Sequence, residues 1–115
     1  MEHLRKADEN EALAKKLDMS LPAAPDWAIT MLFYAAVHYV EAYFSLSGRH
    51  YELHITRDSA IERDTKIKAI YDDYREMKTY SRTVRYYAVW FEADTVATVR
   101  PILDRIKTRI TPLLS

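Results

Sequence analysis

The sequence predicts an all-α fold, a four- to five-helix up-and-down bundle, and two observations carry this prediction. The chain has one glycine and four prolines among 115 residues, fewer than sheet proteins with many tight turns use. The stretch from Asp26 to Gly48 is apolar on every face of a helix, which is typical of the central helix of a bundle. A chain of this length corresponds to one domain, so we assign residues 1–115 to a single helical bundle.

The first two helices follow from apolar spacing and from end signals. Residues 2–18 alternate charged residues with a thin apolar stripe, which consists of Leu4, Ala7, Leu13, Ala14 and Leu17. The second helix should begin after Pro25 with Asp26 as its N-cap, because a short side-chain oxygen satisfies free backbone N–H groups. It should end near Ser47, where Gly48 can adopt the left-handed conformation that commonly follows a helix.

The second half of the chain predicts two further long helices. Residues 49–56 form a polar connection, and Thr56 is expected to cap a short turn that extends to residue 63. A third long helix is expected from Thr65 to about Tyr87, with apolar residues at intervals of three and four. The last helix should cover residues 94–113, and Pro101 inside it predicts a kink or a restart because proline lacks a backbone donor.

The composition excludes several classes of function. Seventeen basic residues balance seventeen acidic ones, so nucleic acid can be attracted only by a local patch. The chain has no cysteine, which excludes disulfides, thiolate zinc sites and cysteine nucleophiles, and one glycine is too few for a phosphate-binding loop. The start of the chain lacks the apolar core of a signal peptide, and the apolar helix contains His38 and Glu41. We therefore expect a cytoplasmic protein without a membrane partner.

Several short motifs follow one another along the predicted helices in a specific order. A long second helix carries Phe33-Tyr34-Ala35, His38 and Val40-Glu41-Ala42, a connection carries His54, and a third helix carries Tyr74, Ser81 and Arg85-Tyr86. In this order and spacing, residues 24–112 resemble the minimal HEPN family of prokaryotic helical domains. The resemblance implies a helical bundle and an RNA-directed role, as the RNA-binding or ribonuclease component of a toxin–antitoxin or defence system.

The nucleases of that family share an arginine, a polar residue, a few further residues and a histidine. The segment from Arg49 to His54 fits this spacing, so the resemblance implies that these two residues are catalytic. The arginine would hold the scissile phosphate while the histidine moves a proton to or from the ribose oxygens. The implied activity is that of a metal-independent endoribonuclease, in which two copies meet across a dimer to complete one site.

His38 and Glu41 lie three residues apart and therefore on one face of the second helix. They can form an acid–base pair or an ion-pair centre that faces Arg57 or Arg85. The alternative, which we favour, is a buried polar network that fixes the packing of the helices.

The remaining candidates are phosphate-binding and metal-binding residues. Arginine and tyrosine together can hold phosphates and stack bases, so the candidates for RNA binding are Arg57, Arg82, Arg85 and Tyr86. His50 and His54 lack a third metal ligand, because Glu52 and Asp58 would point to other faces of a regular helix. We therefore expect neither a metal nor another cofactor.

Two functions remain open at this point. The first is the RNA-directed role, with RNA as the partner. The second is a non-catalytic protein-interaction module that dimerises or pairs with a nucleotidyltransferase-type protein. In either case we expect a homodimer, because the helices carry more apolar faces than one small bundle needs and two-fold symmetry is the commonest assembly.

Overall fold

The structure is a computed structural model that describes residues 2–86 and 91–114, without the side chains of residues 84–86. Within these ranges the chain is helical and contains no strand, so the predicted all-α fold is confirmed. In chain order the five helices of the described ranges are α1 (Glu2–Lys16), α2 (Ala24–Ser45), α3 (His54–Arg63), α4 (Tyr71–Tyr86) and α5 (Ala93–Ile110). Short 3-10 helices cover Lys68–Ile70 and Thr111–Leu114.

Helix α2 is the centre of the bundle, as its apolar sequence predicts. It packs against α1, α4 and α5, and 15 of its 22 residues are buried. The start of α2 lies beside the start of α5, because Asp26 accepts a hydrogen bond from the Phe91 N–H. Nearer the end of both helices, Tyr39 of α2 packs against Lys107 of α5, so the two helices run parallel. No helix in the described ranges is both long and apolar enough to cross a membrane.

Helix α1 buries a different stripe from the predicted one. Ala7 and Ala14 are buried as expected, but Leu13 is 50% exposed, and the buried residue between the two alanines is Glu11. Positions 7, 11 and 14 lie on one helical face, whereas position 13 is turned away from it. The Glu11 carboxylate is tolerated there because it accepts hydrogen bonds from Tyr39 and Lys107, at 3.2 and 3.1 Å.

The predicted cap at the start of α2 is wrong. The helix begins at Ala24, with Ala23 as the N-cap residue, so that Pro25 and Asp26 lie in the first turn. Proline is well suited to the first turn of a helix because its missing N–H has no partner there in any case. The Asp26 carboxylate instead holds the segment before α5, through its 2.8 Å bond with the Phe91 N–H.

The connection after α2 follows the prediction at Gly48 and departs from it at Thr56. Gly48 has a φ of +73°, which is the left-handed region, and the next N–H bonds back to the Phe44 carbonyl at 3.1 Å. Helix α3 begins at His54, two residues before Thr56, and its N-cap residue is Leu53. The Thr56 hydroxyl therefore lies in the first turn, where it donates to the Leu53 carbonyl.

Helices α4 and α5 keep their predicted apolar faces, but α4 begins later than predicted, whereas α5 begins within one residue of its predicted start. Asp64 accepts the N–H groups of Lys66 and Ile67, so a turn occupies the predicted first turn of the third helix and the α-helix begins at Tyr71. The described part of that helix ends at Tyr86, and the expected end at residue 87 lies outside the described residues. Helix α5 continues through Pro101 without the predicted restart.

Candidate histidine site

The four histidines of the chain meet at one place in the bundle. They come from four segments: His3 from α1, His38 from α2, His50 from the connection after α2, and His54 from the start of α3. A buried acid and a buried arginine lie between them. We call this group the histidine cluster, and its members are His3, His38, Glu41, His50, His54 and Arg57.

The centre of the cluster is an ion pair that is almost completely removed from water. The side chains of Glu41 and Arg57 are 2% and 6% exposed, and Arg57 Nε donates to Glu41 Oε1 at 2.8 Å. The other two nitrogens of the guanidinium contact the Tyr51 carbonyl and His54 Nδ1, the latter at 3.1 Å. The prediction that Glu41 lies inside the bundle beside Arg57 or Arg85 is therefore confirmed, with Arg57 as the partner.

The second carboxylate oxygen of Glu41 faces the surface. Glu41 Oε2 lies 3.2 Å from His50 Nδ1 and accepts the Tyr51 N–H at 3.4 Å. The His50 side chain is 55% exposed, so a buried carboxylate orients an imidazole that solvent and ligands can reach. Because its Nδ1 contacts the carboxylate, the Nε2 atom of His50 remains for proton transfer.

His3 and His38 form the other half of the cluster. Their Nδ1 atoms are 3.0 Å apart, and the His3 ring also stacks on the His50 ring with 5.8 Å between centroids. Burial lowers the pKa of both His3 and His38 below the ordinary value of a histidine, because removal from water disfavours the charged ring. The hydrogen-bond partner of His38 is thus another histidine rather than the predicted arginine.

The two predicted catalytic residues, Arg49 and His54, lie in different environments. The Arg49 guanidinium lies over the Phe44 ring, 4.7 Å from its centroid, and bonds to Ser47 and Asp64. It lines a surface cavity of about 560 Å³. His54 instead contacts Arg57, so the arginine that lies beside this histidine is the one on its own helix.

The predicted phosphate-binding residues have different environments. Arg57 is buried in the ion pair, whereas Arg82 is exposed on α4. The side chains of Arg85 and Tyr86 lie outside the described part of the chain. Arg57 therefore positions other members of the cluster, and of these four residues only Arg82 is described as an exposed cation.

The sequence did not indicate that His3 and His50 belong with Glu41. His3 lies 35 residues before its partner His38, and no helical spacing connects positions that far apart. The acids that seemed closest to the histidines in sequence lie elsewhere, since Glu52 is exposed and Asp58 pairs with Lys78. Only the antiparallel packing of α1 on α2 brings the ligand atoms of His3, Glu41 and His50 within 4.8 Å of one another.

Comparisons with family models, with curated proteins and with solved structures each found no match to this chain.

Replacing Glu41 with alanine should cost about 3–5 kcal/mol of unfolding free energy, because Arg57 would stay buried without its counter-ion. Urea unfolding of Glu41→Ala measures this loss. Glu9→Ala is the matched control, since it removes an acid from an exposed ion pair with Arg5 and should change stability far less. Equal effects of the two substitutions would contradict a buried pair.

The stability of the protein should fall as the pH drops below about 6.5, the ordinary pKa of a histidine. The folded state lowers the pKa of His3 and His38, so in this range the unfolded chain binds more protons. The stabilisation is complete above the unfolded pKa and is lost as the pH falls through the folded values. The charged or titratable neighbours of the two rings are Lys6, Glu41, His50 and Arg57.

Urea unfolding between about pH 7.5 and pH 5.5 measures this dependence. The double variant His3→Gln, His38→Gln removes both titrating rings and should show a shallower slope over the same range. A slope identical to that of the wild type would mean that other groups cause the loss of stability.

Proposed function

We propose that this chain is an HEPN-like, RNA-directed protein that acts on the RNA backbone through the histidine cluster. The observation that carries the proposal is the meeting of four imidazoles around one buried Glu41–Arg57 pair. Imidazole is the side chain whose ordinary pKa lies closest to neutrality, so such a group can both accept and donate protons. The corresponding biological role is a ribonuclease or RNA-binding component of a prokaryotic toxin–antitoxin or defence system in the cytoplasm.

Cleavage of RNA by two imidazoles requires no metal ion. A neutral imidazole takes the proton of the ribose 2′-hydroxyl while the 2′-oxygen attacks the phosphorus. The bond between phosphorus and the 5′-oxygen breaks, and a protonated imidazole gives its proton to that oxygen. The products are a 2′,3′-cyclic phosphate and a 5′-hydroxyl end.

His50 and His54 are the members of the cluster best placed for these roles. His50 is the more exposed, and its Nδ1 contact with Glu41 orients the ring and leaves Nε2 for proton transfer. His54 retains the catalytic role implied by the family resemblance, and its Nδ1 lies 3.1 Å from a guanidinium nitrogen of Arg57. That contact with a buried guanidinium positions the His54 ring.

The electrostatic part of RNA binding has to come from exposed cations, because the chain as a whole has no net charge. Arg49 is 41% exposed and lies on the same connection as His50, so it is the nearest candidate in sequence to hold a phosphate. Arg82 is exposed on α4 and can contact a longer RNA. These contacts would contribute affinity without sequence preference.

The purified protein should cleave single-stranded RNA in the presence of EDTA and leave 2′,3′-cyclic phosphate ends. His50→Gln and His54→Gln should each slow cleavage about 10²–10⁴-fold, because each removes a proton-transferring group. Product ends and rates are measured by gel electrophoresis and mass spectrometry. Lys16→Gln, which removes an exposed cation at the other end of α1, is the control and should retain full activity.

The absence of RNA cleavage would leave an RNA-binding role, which a titration against salt concentration tests separately. Substituting Arg49 or Arg82 with glutamine should reduce the salt dependence by about one phosphate contact each. If the wild type binds no RNA even at low salt, the RNA proposal is wrong.

A second candidate function, protein association, is favoured by an exposed apolar stripe on α2. Trp27 is 59% and Tyr34 is 38% exposed, and Met31 lies between them on the same face of the helix. At the start of α3, Ile55 is 79% exposed. Large exposed apolar side chains of this kind often mark an interface, so we propose that the stripe joins two copies of the chain.

Sedimentation at micromolar concentration should show a dimer that Trp27→Glu converts into a monomer, because the charge would lie within the apolar interface. Leu13→Glu is the control, since Leu13 is a comparably exposed apolar residue on α1 and should leave the dimer unchanged. A monomeric wild type would exclude a homodimer and leave only a different protein as the partner of this surface.

A further inference from the structure

We propose that His3, Glu41 and His50 form a binding site for a divalent transition-metal ion, with Zn²⁺ as the ion that fits best. One ligand atom from each residue lies within 4.8 Å of the other two. The three residues come from α1, α2 and the connection after α2, so the site exists only in the folded chain. This inference goes beyond the proposed action on RNA and does not depend on it.

The donor set favours zinc over the common hard cations. Two imidazole nitrogens and one carboxylate oxygen are ligands that Zn²⁺ accepts in tetrahedral geometry, with a fourth position open to water. Magnesium and calcium prefer sites made of oxygen atoms, so they should bind this group poorly.

The geometry is close to what a zinc ion requires. With bonds of about 2.1 Å, neighbouring ligand atoms of a tetrahedral ion are about 3.4 Å apart. Glu41 Oε2 and His50 Nδ1 are 3.2 Å apart, so this pair already satisfies that distance. The His3 ligand atom lies within 4.8 Å of the other two, so it completes the set by approaching them by up to about 1.4 Å.

Two further residues hold the ligands in place. Arg57 binds Glu41 Oε1 and thereby leaves Oε2 for the ion, as hydrogen-bonded neighbours of ligating carboxylates commonly do. His38 contacts Nδ1 of the His3 ring, which fixes the orientation of that ring. The positive charge of Arg57 also opposes a second cation nearby, so we expect reversible binding that a chelator removes.

The test uses the full chain, freed of metal by EDTA and then transferred to chelator-free buffer. Titration calorimetry with ZnCl₂ should give one ion per chain, and MgCl₂ should give no binding. Co²⁺ in place of Zn²⁺ should show the strong visible absorption of a tetrahedral site. Zinc should also raise the unfolding temperature, because it binds only the folded chain.

Substitutions then assign the ligands. His3→Gln and His50→Gln should each abolish stoichiometric zinc binding, and circular dichroism verifies that both variants stay folded. His54→Gln is the matched control, because it removes a histidine of the same cluster that is not a ligand and keeps an acceptor for Arg57. It should bind zinc like the wild type. Binding that survives in His3→Gln and His50→Gln, or an absence of zinc binding by the wild type, would overturn the site.

The outcomes separate this site from the proposed action on RNA. His54→Gln should lose RNA cleavage and keep zinc binding, because His54 is proposed to transfer a proton and is not one of the three zinc ligands. Because zinc binding is measured without RNA, failure of either proposal leaves the other testable.

Discussion

The pairing of Glu41 with Arg57 is the interaction on which the arrangement of this end of the bundle depends. A carboxylate that is 2% exposed on an apolar helix is stable only if a cation compensates the loss of water. The ion pair therefore holds the first turn of α3 against α2, because Arg57 lies one turn after His54, at which α3 begins. The connection between the helices is fixed as well, since the guanidinium also binds the Tyr51 carbonyl and Glu41 accepts the Tyr51 N–H.

The ion pair also determines how the histidines are presented. One carboxylate oxygen is occupied by Arg57, so the other is left to orient His50 at the surface. His54 contacts the same guanidinium through its Nδ1 atom. The buried pair therefore supports two imidazoles whose own side chains reach solvent. In this way a polar group in the core of the bundle orients side chains at its surface.

The proposed RNA chemistry and the proposed zinc site share one residue, His50, and otherwise use different parts of the cluster. Proton transfer needs His50 and His54, whereas zinc binding needs His3, Glu41 and His50. An ion bound at His50 would occupy a ring that cleavage of RNA needs free. Zinc and RNA chemistry would then exclude each other, which is a physical basis for control of the activity by metal.

The sequence by itself determined the helical fold, the central position of α2, the glycine turn at Gly48 and the burial of Glu41 inside the bundle. Each of these rests on a local pattern, such as apolar residues on all faces or a charged group within an apolar helix. The buried faces of α4 and α5 followed from the same periodicity, including Tyr74 on α4 and Leu103 on α5.

Only the tertiary structure decided which residues surround Glu41. His3 reaches the cluster because α1 packs antiparallel on α2, and the local spacing of residues contains no information on that pairing. Arg49 fits the expected motif in sequence, yet it lies over Phe44, because the turn after α2 places it away from His54. Spacing along one helix specifies a face, whereas a site made from four segments depends on how the faces of different helices meet.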